Sequence, residues 1–161
     1  MTPALLAEAE ALLALLRQRK LMLATAESCT GGLVAGTLTA IAGSSDVVDR
    51  GFVTYSNEAK REMLGVTEES LAMAGAVSEE VARAMADGAL AHSRADIALS
   101  VTGIAGPGGA TDTKPVGLVF IGAARRGGTL LVERHVFGGD RTAIRNASVV
   151  VAFRLARTLA G

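Results

Sequence analysis

The sequence predicts an α/β fold in which a mixed sheet carries helices on both faces. Two observations lead there. Short apolar or β-branched runs alternate with segments of helical period along the chain, and only one pair of neighbouring runs is placed to form a hairpin. Thr2 and Pro3 read as an N-cap and first helical position, after which Leu5, Ala9, Leu12 and Leu16 recur at helical spacing. Acidic residues early in this segment and Arg17, Arg19 and Lys20 late in it match the helix dipole. Leu21 to Thr25 reads as a strand, Glu27-Ser28-Cys29-Thr30-Gly31-Gly32 as a tight turn, and Leu33, Val34, Leu38 and Ile41 as the apolar stripe of a helix. Val47 to Ser56 is rich in β-branched and aromatic residues and predicts a second strand, followed by a helix over Asn57 to Leu64.

A short helical piece follows Thr67 and breaks at Gly75, and Ser78 with Glu79 and Glu80 opens a longer helix through His92. Asp96 to Thr102 reads as a buried strand that runs into the glycine-rich loop Gly103 to Gly109. Val116 to Ala124 and Thr129 to Phe137 form the hairpin, with Gly127-Gly128 in its turn. Gly138-Gly139-Asp140 then opens a closing helix through Leu159.

With 161 residues, the chain is expected to form one domain spanning 1–161. Half of it is hydrophobic and only 20% is charged, which excludes general disorder. Sixteen basic side chains balance sixteen acidic ones, so a nucleic-acid partner bound through a basic face is not expected. One tyrosine, four phenylalanines and no tryptophan make base stacking on an aromatic platform equally improbable. One cysteine and two histidines cannot fill a structural zinc site, and no metal or cofactor is expected. Neither a secretory core nor a spanning segment is legible in residues 1–20, so the expected setting is cytoplasmic, away from membranes. The apolar, aromatic-poor composition leaves a homo-oligomer open.

Only three of the sixteen basic residues are lysines: Lys20, Lys60 and Lys114. In a chain that uses arginine for surface charge, each lysine is a candidate for chemistry arginine cannot perform. Three polar turns, Glu27 to Gly32, Tyr55 to Lys60 and Thr102 to Gly109, each follow a strand, and they meet only if those strands run parallel. None matches a standard nucleotide fingerprint, and the plainer reading of their glycines is turn geometry. Ser28 and Cys29 nevertheless stand where a strand meets a helix, a place where a nucleophile is exposed and N–H groups can hold an oxyanion. His92 and His135 lie beside none of these turns, which disfavours a Ser-His-Asp triad. Lys60 can serve as base if burial or the adjacent helix start lowers its pKa, with Tyr55 as relay or as packing. Arg141 and Arg145, four apart at a helix start, suit a phosphate or carboxylate. Glu27 either orients the site or caps the following helix.

The strings AESCTGG (26–32), AGSSDVVDRGFVTYSNEAK (42–60), GAVSEEVA (75–82), SVTGIAGPGG (100–109) and KPVG (114–117) resemble the C-terminal domain of the competence/damage-inducible protein CinA. That family includes nicotinamide mononucleotide amidohydrolases. The resemblance implies a three-layer α/β/α sandwich with a mixed, mostly parallel sheet. It also implies metal-free hydrolysis of the carboxamide of nicotinamide mononucleotide to nicotinate mononucleotide and ammonia. On the family's pattern Ser28 is the nucleophile, Lys60 the base and Tyr55 their assistant. Glu27, Cys29, Thr30, Gly31, Thr102, Gly103, Arg141 and Arg145 are the expected substrate-contacting set. The competing expectation is a non-enzymatic nucleotide-binding or interaction module on the same fold.

Overall fold

In the computed structural model, which describes residues 1–161, the first helix α1 (Pro3–Arg19) begins where Thr2 Oγ1 accepts from the Leu5 N–H at 3.2 Å. It stops at Lys20, whose φ of 56° is left-handed. The basic end is as expected, but no acidic residue lies in the first turn; Glu8 instead meets Arg157 across the molecule. There follow β1 (Leu23–Glu27), α2 (Leu33–Thr39), a 3₁₀ turn at Ser44–Asp46, β2 (Val48–Val53) and α3 (Asn57–Leu64). Then come α4 (Glu68–Ala74), α5 (Glu79–Ala91), β3 (Ile97–Gly103), β4 (Leu118–Arg125), β5 (Leu130–Val136) and α6 (Arg141–Ala160). Ser56, Thr67, Ser78 and Asp140 cap α3, α4, α5 and α6 through their side chains, each accepting from an N–H three residues on.

β1 starts two residues later than the apolar run suggests, and β2 ends before Ser56. After Thr54 N–H reaches Glu27 O at 2.8 Å, the chain has to turn so that Ser56 can cap α3. The sheet order is β2-β1-β3-β4-β5. β1 pairs parallel with both β2 and β3, while β3–β4 and β4–β5 are antiparallel. Only β4 is therefore reversed, and the sheet is mixed with four strands running one way. The carboxyl ends of β2, β1 and β3 lie side by side, so the three polar turns do meet.

The two faces are built differently. Leu23, Ile97, Leu99, Val101, Val119 and Ile121 face α1 and α6 in a core of 26 buried residues. The alternate positions Ala24, Ala26, Ala98 and Ala124 face α5 in a core of 12. Small residues let α5 lie close. A Cβ on Gly88 would stand 2.0 Å from the backbone oxygen of Leu64. Gly88→Ala is expected to lower stability by about 2–3 kcal/mol, because the clash is with backbone and cannot be relieved by a rotamer change. Urea unfolding measures it; an unchanged midpoint would mean α5 and α3 are free to separate.

Candidate active site

A cavity of about 290 Å³ opens where the three strand ends meet, lined by Ser28, Cys29, Tyr55, Asn57, Lys60 and Arg141 and by residues 76–77, 102–106 and 108–109. Ligands of open α/β sheets bind at such carboxyl edges. A larger groove of about 800 Å³, between α4, the start of α5 and the β4–β5 hairpin, shares only Val77 with it and contains neither Ser28 nor Lys60.

Ser28 is set by the strand before it. Its N–H continues the β1–β3 ladder by donating to Val101 O at 2.9 Å, and its own carbonyl accepts from Gly31 N–H at 2.9 Å, closing the turn. Lys60 sits one turn into α3, and its side chain runs back toward the strand end. Its Nζ lies 2.9 Å from Ser28 Oγ and donates to Thr54 O at 2.8 Å. The residue is 1% exposed, among the largest fully buried side chains in the protein. No carboxylate faces it, and burial pushes its pKa below the ordinary lysine value, opposed slightly by the ionised form of Cys29. Burial, rather than the helix start, is thus the cause of the shift. A neutral amine in this position is able to accept a proton from Ser28 Oγ while still donating to Thr54 O.

Cys29 lines the same cavity, but burial pushes its thiol up to about 11. It is a poor nucleophile near neutral pH. Iodoacetamide at neutral pH is expected to label it far more slowly than a free thiol; labelling at the free-thiol rate would place an activating cation beside it. In the turn, Gly31 N–H is committed to Ser28 O and Leu33 N–H to Thr30 O. Val34 and Ala35 donate to Glu27 at 2.7 and 3.1 Å. The N–H groups of Cys29 and Thr30 have no such partner, and Cys29 is a residue of the cavity lining.

Glu27, 1% exposed, is therefore the cap of α2 and not part of the cavity lining. Thr30 and Gly31 also stand behind the lining, and Arg145 holds Thr30 O at 2.7 Å. Arg145 is a brace for the turn. Arg141 does reach the cavity: it donates to Gly106 O at 2.8 Å and to Tyr55 Oη at 3.0 Å, tying the glycine loop to the β2 end. Thr102 lines the cavity and donates to Ala76 O at 2.7 Å, and Gly103 borders it where a Cβ would meet Leu118 O at 2.8 Å. His92 closes α5 on Gly88 O, and His135 stacks on Phe137 beside Glu133, so neither histidine reaches Ser28. Sequence reasoning does not single out Asn57, Ala76 or Val77, which also line the cavity. Asn57 follows the Ser56 cap and could have been suspected, whereas the 76–77 segment arrives through the long-range contact to Thr102, for which no local signal exists.

The fold and this cavity define the class: a three-layer α/β/α domain with a lysine-paired serine at the carboxyl edge of parallel strands. The model of the CinA C-terminal domain matches residues 6–160, and the chain belongs to that family. It is 52% identical over 139 residues to the nicotinamide-nucleotide amidohydrolase PncC of Escherichia coli K12, covering 86% of this chain and 84% of that protein. It is 53% identical to a CinA-like protein of Chloroherpeton thalassium over 90% of this chain. The chain spans only 35% of that relative's length, and 36% of a competence-damage relative in Caldicellulosiruptor bescii. The crystal structure of the competence/damage inducible protein CihA from Agrobacterium tumefaciens superposes with a TM-score of 0.96 at 51% identity, covering 99% of this chain and 97% of that one. No helix is long and apolar enough to cross a membrane.

Proposed function

We propose that this protein hydrolyses the carboxamide of nicotinamide mononucleotide to nicotinate mononucleotide and ammonia, with Ser28 as nucleophile and Lys60 as base. The observation that carries the proposal is the buried Lys60 Nζ 2.9 Å from Ser28 Oγ inside a strand-end cavity, in a chain 52% identical to a nicotinamide-nucleotide amidohydrolase. Neutral Lys60 takes the Ser28 hydroxyl proton as Oγ adds to the amide carbon. The oxyanion rests on the Cys29 N–H. Collapse breaks the C–N bond, the proton on Lys60 passes to the departing nitrogen, and ammonia leaves an acyl ester on Ser28. Water then adds to that ester while Lys60 takes its proton. The C–O bond to Ser28 breaks, the proton returns to Oγ, and nicotinate mononucleotide is released.

Tyr55 is held by Arg141 at the cavity mouth, where its hydroxyl can relay the proton or contact the nucleotide. Arg141 has guanidinium N–H groups to spare beyond Gly106 and Tyr55, and they suit the nucleotide phosphate. Arg141→Ala is expected to raise KM for the nucleotide about tenfold or more and to matter much less for the nucleoside. Equal losses on both would remove the phosphate role. The activity itself is tested by incubating the protein with nicotinamide mononucleotide and measuring ammonia and nicotinate mononucleotide. Binding without release of either product would leave the non-enzymatic module instead.

A further inference from the structure

Three consecutive carbonyls between α4 and α5 are each held by a different side chain. Lys114 Nζ donates to Ala74 O at 2.7 Å, Ser78 Oγ to Gly75 O at 2.8 Å, and Thr102 Oγ1 to Ala76 O at 2.7 Å. Ala76 and the next residue, Val77, line the catalytic cavity, and Val77 also borders the large groove, so this strip of backbone is the partition between them. From the α4 side the core holds it through the partly buried Leu71 and through no fully buried residue. The tethers supply the rest.

We infer that Lys114 is a positioning residue: by holding the carboxyl end of α4 it sets the Ala76–Val77 wall of the cavity, and with it the fit of the substrate. Its own backbone is fixed, since Thr111 N–H donates to Lys114 O at 2.8 Å and Lys114 N–H to Thr111 Oγ1 at 3.1 Å. The amine fits because its neighbour is glycine: a Cβ on Gly75 would stand 2.9 Å from Lys114 Nζ, and Gly75 has a φ of +77°. A compact ammonium reaches the α4 carbonyl past that Cα, whereas a planar guanidinium is wider, which explains a lysine here in an arginine-rich chain. The side chain touches neither Ser28 nor Lys60. It acts on the wall alone.

The inference rests on the amidohydrolase reading only for the substrate used to read it. Lys114→Met keeps the aliphatic stem and removes the donor. It is expected to raise KM for nicotinamide mononucleotide about tenfold with kcat within about twofold of wild type. Amide hydrogen exchange at residues 75–78 is expected to speed up about tenfold or more, with the α6 and β3 amides unchanged. Lys114→Arg, whose planar guanidinium is too wide for the gap beside Gly75, is expected to reproduce both effects and serves if Lys114→Met does not fold. An unchanged KM, a loss confined to kcat, or unchanged exchange at 75–78 would overturn the role. If wild type releases no ammonia, the amidohydrolase reading fails, and the exchange measurement still decides whether Lys114 holds the wall.

Discussion

Ser28→Ala is expected to lose ammonia release by at least about 10³-fold while binding nicotinamide mononucleotide within about threefold of wild type. The substitution removes the proposed nucleophile and leaves the turn intact, because that turn is closed by the backbone of Ser28 and Gly31 rather than by the hydroxyl. Lys60 keeps its bond to Thr54 O, so the cavity is not left with a wholly unpaired amine. Cys29→Ala is the companion variant. It preserves the N–H proposed to receive the oxyanion and removes a thiol that burial holds in its protonated form, so activity within about tenfold of wild type is expected. Ammonia assay and calorimetric titration read both. A dead Cys29→Ala beside a working Ser28→Ala would exchange the roles of the two residues.

The second large effect concerns Lys60. Lys60→Met replaces a buried amine with an apolar chain of similar length, and turnover is expected to fall by at least about 10³-fold. Stability should move the other way near neutral pH. The folded pKa of Lys60 lies below the unfolded value, so between the two the unfolded chain binds more protons and wild-type stability rises with pH. Burial of the charge is thus a cost at and below neutral pH, and it fades as pH climbs toward about 10.4, the ordinary lysine value. Lys60→Met is therefore expected to be at least as stable as wild type at pH 7, with its advantage shrinking at higher pH. Wild-type kcat/KM should rise with pH through one ionisation below the ordinary lysine value and then level off. A stability gap independent of pH up to about 10 would show instead that Lys60 stays charged in the folded protein.

Much of this arrangement is legible in the sequence because it rests on local rules. Caps at Thr2 and Ser78 mark helix starts, and the apolar run over 96–102 marks a buried strand, whereas the Ser56 cap is hidden because the β-branched run reads on through it. Parallel pairing of β1 with β2 and β3 is not local, yet the three polar turns make sense together only if those strands align, and that reasoning brings Ser28, Tyr55, Lys60 and Thr102 to one cavity. The second ranks are where sequence reasoning falls short. Glu27 and Arg145 carry charges that suit a ligand, but each satisfies buried backbone instead: Glu27 the first N–H groups of α2, Arg145 the carbonyl of Thr30. Whether a charge at a turn faces substrate or backbone depends on side-chain direction, which residue type does not encode. The 76–77 wall is hidden for a related reason, since its tethers come from Thr102 and Lys114, 26 and 40 residues away from the carbonyls they hold.

The central claim, that Lys60 acts as a base and not as a fixed charge, is tested most directly by kcat/KM of Lys60→Arg against wild type across pH. A guanidinium keeps the positive charge and hydrogen-bond donors but stays protonated in proteins, so it cannot accept the Ser28 proton. Lys60→Arg is expected to be as inactive as Lys60→Met at every pH, in a folded protein with circular dichroism like that of wild type. Activity within about tenfold of wild type, equivalent to only about 1.4 kcal/mol of barrier, would contradict the claim and make Lys60 an electrostatic support for some other base.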